Sequence, residues 1–592
     1  MQLLNLLYLN EARNAAYNSF ESRCLEGTRA TLRTELVNWA ENDDLHPKSI
    51  FWLYGMAGMG KSVVARTVAE HFDDRGHLVA SFFFSRNEAN RSSTKALVST
   101  IAAQFTQESA ILRHKICAVL DNSLGYINLS LAEQWERLIK EPLQQLEGGE
   151  RLQRQTVIFV VDALDECLNE NEEIRRLLEL LGKLKDTDHV RFRVLITSRA
   201  IEPVSYMMEK LSQTVKRCNL SEMPQDENNR DLSAYYKRQL GDIRQEYLNI
   251  RQNKKANEEL DEESNESDQE TDEDSDEESD KEQDEEHHEE IDKDWPRKVD
   301  IEQLVKQAGG LFQYAQVACK IIGGGKSPAD RLKMLLDPGL DQHDEVDQLD
   351  QMYSKALELS TPNPSTTMLS ERKKFLELFP QVVGAFVLAF DPLSRKSIVH
   401  FLPGKYKRED VTRLLHYLHS VFYIPEKLDS EIKVIHQSFR DFLTDKDRCK
   451  EEKFQIDQEA VHEGFFHGCI SLMSKLKRDM CDLKVPGARI VESKETTDGG
   501  DMGATDGSDW ETTDVNNVVE RGNLKRIKPE LQYACRFWVQ HLQKISKPEL
   551  FTEALEFLRK HFLHWLETLS LMGQTHEALT AIISLESSLD VS

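Results

Sequence analysis

Ile50-Phe51-Trp52-Leu53-Tyr54-Gly55-Met56-Ala57-Gly58-Met59-Gly60-Lys61-Ser62 decides how this chain is read. Five apolar residues run into three spaced glycines, a lysine and a serine, and an amphipathic stretch follows over 62–72. The order is strand, loop, helix. Residues 55–62 fit the spacing GxxxxGK[ST]: Gly55, Met56, Ala57, Gly58, Met59, Gly60, Lys61, Ser62. The backbone N–H groups of such a loop form a nest for an anion, and the next helix adds the positive end of its dipole. Side chains at the glycines would block the backbone's approach to phosphate. Lys61 is expected to reach the β- and γ-phosphates of a bound nucleotide, and the Ser62 hydroxyl to ligate Mg²⁺. The strand before and the helix after separate this loop from a chance glycine-rich turn.

Three further apolar runs, 79–84, 157–161 and 194–197, read as strands. They are continuous rather than alternating, which predicts burial on both faces, as in a parallel sheet. Helical patterns lie between them, so residues 46–215 are expected to form a doubly wound α/β domain. The run at 157–161 ends in Asp162-Ala163-Leu164-Asp165-Glu166. Asp162, at the carboxyl end of a strand, is placed to join the Mg²⁺ shell. Glu166 or Asp165 is placed to orient or deprotonate a water. Arg199, just past the run at 194–197, is a candidate sensor of the γ-phosphate.

Length and charge set the frame around this core. The chain has 592 residues, room for about four units of roughly 150 residues each. Its net charge is −28, and segment 258–290, with 21 acidic residues and one lysine, carries −20 of it. The remaining −8 disfavours a broadly basic nucleic-acid binder. That segment repels itself and has Leu260 as its one apolar residue, so it reads as a solvated, disordered insertion. Segment 492–515 is rich in Gly, Thr, Ser and Asp and reads as a flexible loop. No run approaches the ~18 apolar residues of a membrane span. The start lacks the basic region of a signal peptide. Nine cysteines are scattered without a CxxC pair, which fits reduced thiols and a cytoplasmic location.

The expected organisation is an N-terminal helical lead-in over 1–45, the nucleotide domain over 46–215, and a helical domain over 216–253. The acidic insertion over 254–295 interrupts that helical domain, which resumes over 296–360. A winged-helix-like domain over 361–450 and a C-terminal helical domain over 451–592 complete the chain.

Read together, these elements resemble a NACHT-type STAND P-loop NTPase. More narrowly, the chain is similar to the fungal NOD-like receptor family with a nephrocystin-3-like N-terminal domain. The resemblance rests on Cys24-Leu25-Glu26-Gly27-Thr28-Arg29, Trp39, Ser81-Phe82-Phe83-Phe84-Ser85-Arg86, Ala163-Leu164-Asp165-Glu166-Cys167 and Thr197-Ser198-Arg199. It continues in Gly310-Leu311-Phe312, Phe390-Asp391-Pro392-Leu393-Ser394, His436-Gln437-Ser438-Phe439 and Tyr533-Ala534-Cys535-Arg536-Phe537-Trp538. The family implies a switch. ADP holds a closed form, exchange for ATP or GTP opens it, and opened subunits form a signalling homo-oligomer. By that resemblance His436 is the winged-helix histidine that touches the β-phosphate of ADP. About 45 residues precede the core and no 20–50-residue repeat is present, so the effector domain and WD40 repeats of many members are expected to be absent from this chain. Slow ATP or GTP hydrolysis, unidentified protein partners, and a role in fungal self/non-self recognition or cell death are what the resemblance implies. Two other readings fit the same residues: a scaffold that nucleotide only stabilises, and a steady-turnover ATPase that takes an arginine from a neighbouring subunit.

Overall fold

The computed structural model describes residues 15–16, 23–41, 48–121, 129–145, 155–168, 171–187, 190–265, 294–324, 327–337, 345–362, 369–402, 404, 406–480 and 527–589. The loop 492–515 and most of the acidic run lie outside these.

Five parallel strands form the sheet that carries the site: β1 (Ile50–Tyr54), β2 (Leu78–Phe83), β3 (Gln155–Asp162), β4 (Val190–Ser198) and β5 (Val215–Asn219), in the order β2-β3-β4-β1-β5. The apolar runs become strands because both faces are covered. Phe51 and Leu53 of β1 enter one hydrophobic cluster, and Ile50 and Trp52 enter the other. Ile158 and Val160 of β3 alternate with Val157, Phe159 and Val161 in the same way. This is a doubly wound sheet, as the continuous apolar runs predict.

Strand β5 was not anticipated. Its sequence, Val-Lys-Arg-Cys-Asn, pairs with β1 on one side only, and just its first residue is buried. An edge strand needs no unbroken apolar run, so its charges hid it.

The helices α1 (Ala30–Glu41) and α2 (Lys61–Asp74) pack against this sheet. Beyond β5 the chain is helical. Helix α3 (Gln225–Asn265) runs into the segment expected to be disordered. The Lys, Ala, Glu and Leu residues there are strong helix formers, which outweighs charge repulsion over its first turns. Helices α4 (Phe312–Gly323) and α5 (Glu345–Ser360) pack on each other.

Next comes a unit built on helix Leu369–Leu388 and a short antiparallel hairpin, β6 (Phe422–Tyr423) with β7 (Lys433–Val434). Helix α6 (Gln437–Thr444) follows the hairpin directly. The remaining helices include α7 (Gln458–Met473) and α8 (Pro529–Leu542), which pack side by side. One hydrophobic cluster runs from α1 through the helical units to Leu585, so these parts share a continuous core. Among the described residues, no helix is long and apolar enough to cross a membrane, and no group of three or more His, Cys, Asp or Glu has metal-site geometry.

Candidate nucleotide site

Parallel strands end at one edge of the sheet, and that edge gathers the candidate residues. Gly55 follows β1, Asp162 ends β3, Arg199 follows β4 and Asn219 ends β5. Because β4 lies between β1 and β3, Arg199 emerges between the glycine loop and the carboxylates.

The loop has the backbone its sequence calls for. Gly58 and Gly60 have φ of +83° and +89°, in the left-handed region that glycine enters without penalty. Gly60 caps α2 without any side-chain bond, so the helix's first N–H groups face the loop uncapped. Lys61 Nζ donates to the carbonyls of Gly55 at 3.0 Å and Met56 at 2.8 Å, which holds the ammonium over the loop. Burial lowers the Lys61 pKa, and Asp165 and Asp162 oppose that shift.

Asp162 is 2% exposed. The Thr197 hydroxyl donates to it, Ser62 bonds to it as well, and burial raises its pKa against these partners. Thr197 also accepts from the Ala163 N–H at 2.9 Å, so one hydroxyl fixes both Asp162 and the turn after it. Ser62 and Asp162 therefore meet as an oxygen pair of the kind a small hard cation takes. The sequence gives Thr197 a place in a motif but no role, although a hydroxyl ending an apolar strand is the available signal.

Asp165 and Glu166 have different surroundings. Asp165 accepts from Arg199 twice, from the backbone N–H at 3.0 Å and from Nε at 2.6 Å. Both oxygens are thus engaged, and the pair fixes Arg199 in place. Arg199 also lies 3.6 Å from Asp441 of α6. Glu166 accepts from the Arg86 N–H at 3.3 Å. Burial, and then the nearby Asp165 charge, push its pKa up to about 7. Of the two carboxylates, Glu166 has the proton affinity of a general base or acid near neutrality.

His436 is the N-cap of α6. Its Nδ1 accepts from the Ser438 N–H at 3.1 Å. Burial, then the Lys61 and Arg199 charges, lower its pKa to about 4, so the ring is neutral at pH 7.

Three units close around the site. A cavity of about 360 Å³ is lined by Tyr54, Gly55 and Arg199 from the sheet edge, Leu311 and Leu349 from the helical region, and Ser438, Asp441 and Arg448 from the hairpin unit. The Gln313 N–H donates to the Gly58 carbonyl at 3.0 Å, which seats α4 on the loop.

Arg29 is a second clamp that the sequence did not assign. Its guanidinium donates to the Met59 carbonyl at 3.1 Å and lies 4.9 Å from the Phe312 ring centroid, while its N–H donates to Asp231 at 3.0 Å. The segment after β2 docks the far side. Asn87 accepts from Arg440 at 2.6 Å, Glu88 pairs with Lys433 at 3.2 Å, and the Ala89 N–H donates to Asp391 at 2.9 Å. Asp391 also accepts from Arg536 of α8 at 2.6 Å.

Comparison with known proteins bears on the core. Residues 28–199 match the family described as Nephrocystin 3, N-terminal. No curated protein matches the chain. Among solved structures, the ADP form of the Aeropyrum pernix ORC2 protein is similar at 13% identity and a TM-score of 0.27, over 68% of this chain and 88% of that one. The Aeropyrum pernix ORC1 protein in complex with DNA is similar at 14% identity and a TM-score of 0.25, over 72% of this chain and 91% of that one. The parallel five-strand sheet, its glycine loop and the helical units that follow are the fold of a P-loop NTPase.

Proposed function

We propose that this chain is a nucleotide-operated switch of the NACHT type, similar to fungal NOD-like receptors. In this reading ADP, or GDP, holds the closed arrangement. ATP or GTP with Mg²⁺ releases the hairpin unit and lets subunits assemble for signalling in self/non-self recognition or cell death. The observation that carries it is the cavity shared by the glycine loop, Arg199 and the hairpin unit's Ser438, Asp441 and Arg448. A site built from three units gives a ligand different contacts in closed and open forms, which is what a switch requires.

The proposed roles follow the donor set. The loop residues Gly55, Met56, Ala57, Gly58, Met59 and Gly60 cradle the phosphates, and Lys61 leaves its carbonyl partners for the β/γ oxygens. Ser62 and Asp162 hold Mg²⁺, which when bound neutralises charge on the phosphoryl oxygens. Arg199 senses the γ-phosphate from its seat on Asp165. Glu166 orients or deprotonates water, with slow hydrolysis resetting the closed form. His436 contacts the terminal phosphate of the diphosphate.

Titration of the protein with ADP, ATP, GDP and GTP in Mg²⁺, followed by light scattering, tests this. The reading expects tight diphosphate binding to a monomer and a rise in mass with triphosphate. Tight binding of both without any change in mass or shape would favour a nucleotide-stabilised scaffold instead.

A further inference from the structure

His436 occupies a helix-capping position that usually belongs to Ser, Thr, Asp or Asn. It caps through Nδ1, which accepts from the Ser438 N–H at 3.1 Å. A nitrogen that accepts from an amide carries no proton. The Ser438 hydroxyl lies 2.7 Å from the same Nδ1 and must therefore donate to it. The Tyr353 hydroxyl lies 2.7 Å from Ser438 Oγ. Ser438 has spent its only proton on the ring, so Tyr353 is the donor in that contact. The proton order is thus fixed along the chain Tyr353, Ser438, His436. The ring proton is left on Nε2, the tautomer that presents one N–H donor.

Packing makes this order hard to change. Tyr353 and Ser438 are 1% and 2% exposed. The Tyr353 ring packs against Phe439 and Phe442 of α6 with centroids 5.0 and 5.6 Å apart. Tyr353 sits on α5, whose Leu349 lines the cavity together with Ser438 itself. Helix α5 belongs to the helical region, and α6 to the hairpin unit. The Tyr353 hydroxyl therefore crosses the boundary that a switch has to open, alongside the pair that Arg448 makes with Asp350 of α5 at 2.6 and 2.9 Å.

We propose that Tyr353 is a positioning residue which, through Ser438, orients the Nε2–H of His436 toward the terminal phosphate of a bound nucleoside diphosphate. It makes the helical region a second reader of nucleotide state. This rests on the switch reading above. Tyr353 does not touch the ligand. It acts by holding the Ser438 hydroxyl on Nδ1, and with it the orientation of the His436 ring. When the hairpin unit departs, the Tyr353–Ser438 bond is lost with it, so the diphosphate-bound state alone gains from the relay.

The test uses the full chain and fluorescently labelled ADP and ATP in stopped-flow displacement, with wild type, Tyr353→Phe, Ser438→Ala, His436→Ala and the Tyr353→Phe/His436→Ala double variant. Tyr353→Phe keeps the buried ring and removes only the hydroxyl, so it folds. It should speed diphosphate release about fivefold, the effect of losing one ordinary hydrogen bond, and leave triphosphate release within about twofold. Ser438→Ala should act in the same direction. In the His436→Ala background the tyrosine change should add less than about twofold, because the two act through one path. Unchanged diphosphate release in Tyr353→Phe, or an equal acceleration with and without His436, would overturn the inference. Should His436→Ala itself leave diphosphate release unchanged, it is the switch reading that falls.

Discussion

Replacing Gly58 by alanine should loosen α4 from the nucleotide loop, and replacing Gly60 should not. Both glycines have positive φ, +83° and +89°, so an L side chain at either costs about 1–2 kcal/mol of backbone strain. Their surroundings differ. A Cβ on Gly60 meets nothing within 4 Å, whereas one on Gly58 falls 2.8 Å from Gln313 Cβ. Carbon atoms pack at about 3.5–4.0 Å, so helix or loop must move by roughly 1 Å. Overpacking of this kind costs about 1–3 kcal/mol. The same movement stretches the bond from the Gln313 N–H to the Gly58 carbonyl. Amide hydrogen exchange of the protein without added nucleotide reads the difference. Peptides covering 312–323 should exchange about 5- to 150-fold faster in Gly58→Ala, the equivalent of 1–3 kcal/mol. In Gly60→Ala they should stay within about twofold of wild type. Equal protection of α4 in the two variants would refute the claim that the helical region is seated on the loop.

Three more expectations follow from the same contacts. Asp391→Ala removes the acceptor shared by the Ala89 N–H and Arg536; leaving those donors unpaired should cost about 2–4 kcal/mol, seen as faster exchange in both 85–92 and 529–542. Glu166→Gln should cut single-turnover hydrolysis at least tenfold with nucleotide affinity within about twofold, as expected for a group acting on water rather than on binding. His462 bonds to His541 at 2.8 Å inside the contact between α7 and α8, and burial lowers its pKa from 6.5 to about 4. The unfolded chain therefore takes up the proton first as pH falls, so this group's stability is present above pH 6.5 and is lost between 6.5 and about 4. Against a His462→Gln variant, wild type should lose about 1.4 kcal/mol per pH unit across that window in denaturant titrations.

What could be read from the sequence was whatever local physics determines. The loop at 55–62 carries its own glycines, and β1, β3 and β4 carry unbroken apolar runs because helices cover both their faces. Strand β5 was illegible for the opposite reason: at the sheet edge it is only partly covered, so Lys216, Arg217 and Asn219 stand where β1 carries apolar residues. The residues that join units were also hidden. Arg29, Tyr353 and Ser438 have roles defined by distant partners, such as Asp231, 202 positions from Arg29. No spacing rule connects such positions. His436 lay between these cases. The resemblance supplied a role for it, but only the fold shows that it caps a helix through Nδ1.

The measurement that tests the central claim most directly is to denature freshly purified wild type and Lys61→Ala and identify any released nucleotide by chromatography. The account predicts close to one ADP or GDP per wild-type chain and none from the variant, whose helical units remain folded by circular dichroism. A wild type that releases no nucleotide and binds neither ATP nor GTP on titration, or a Lys61→Ala protein that binds Mg²⁺-nucleotide with unchanged affinity, would contradict it.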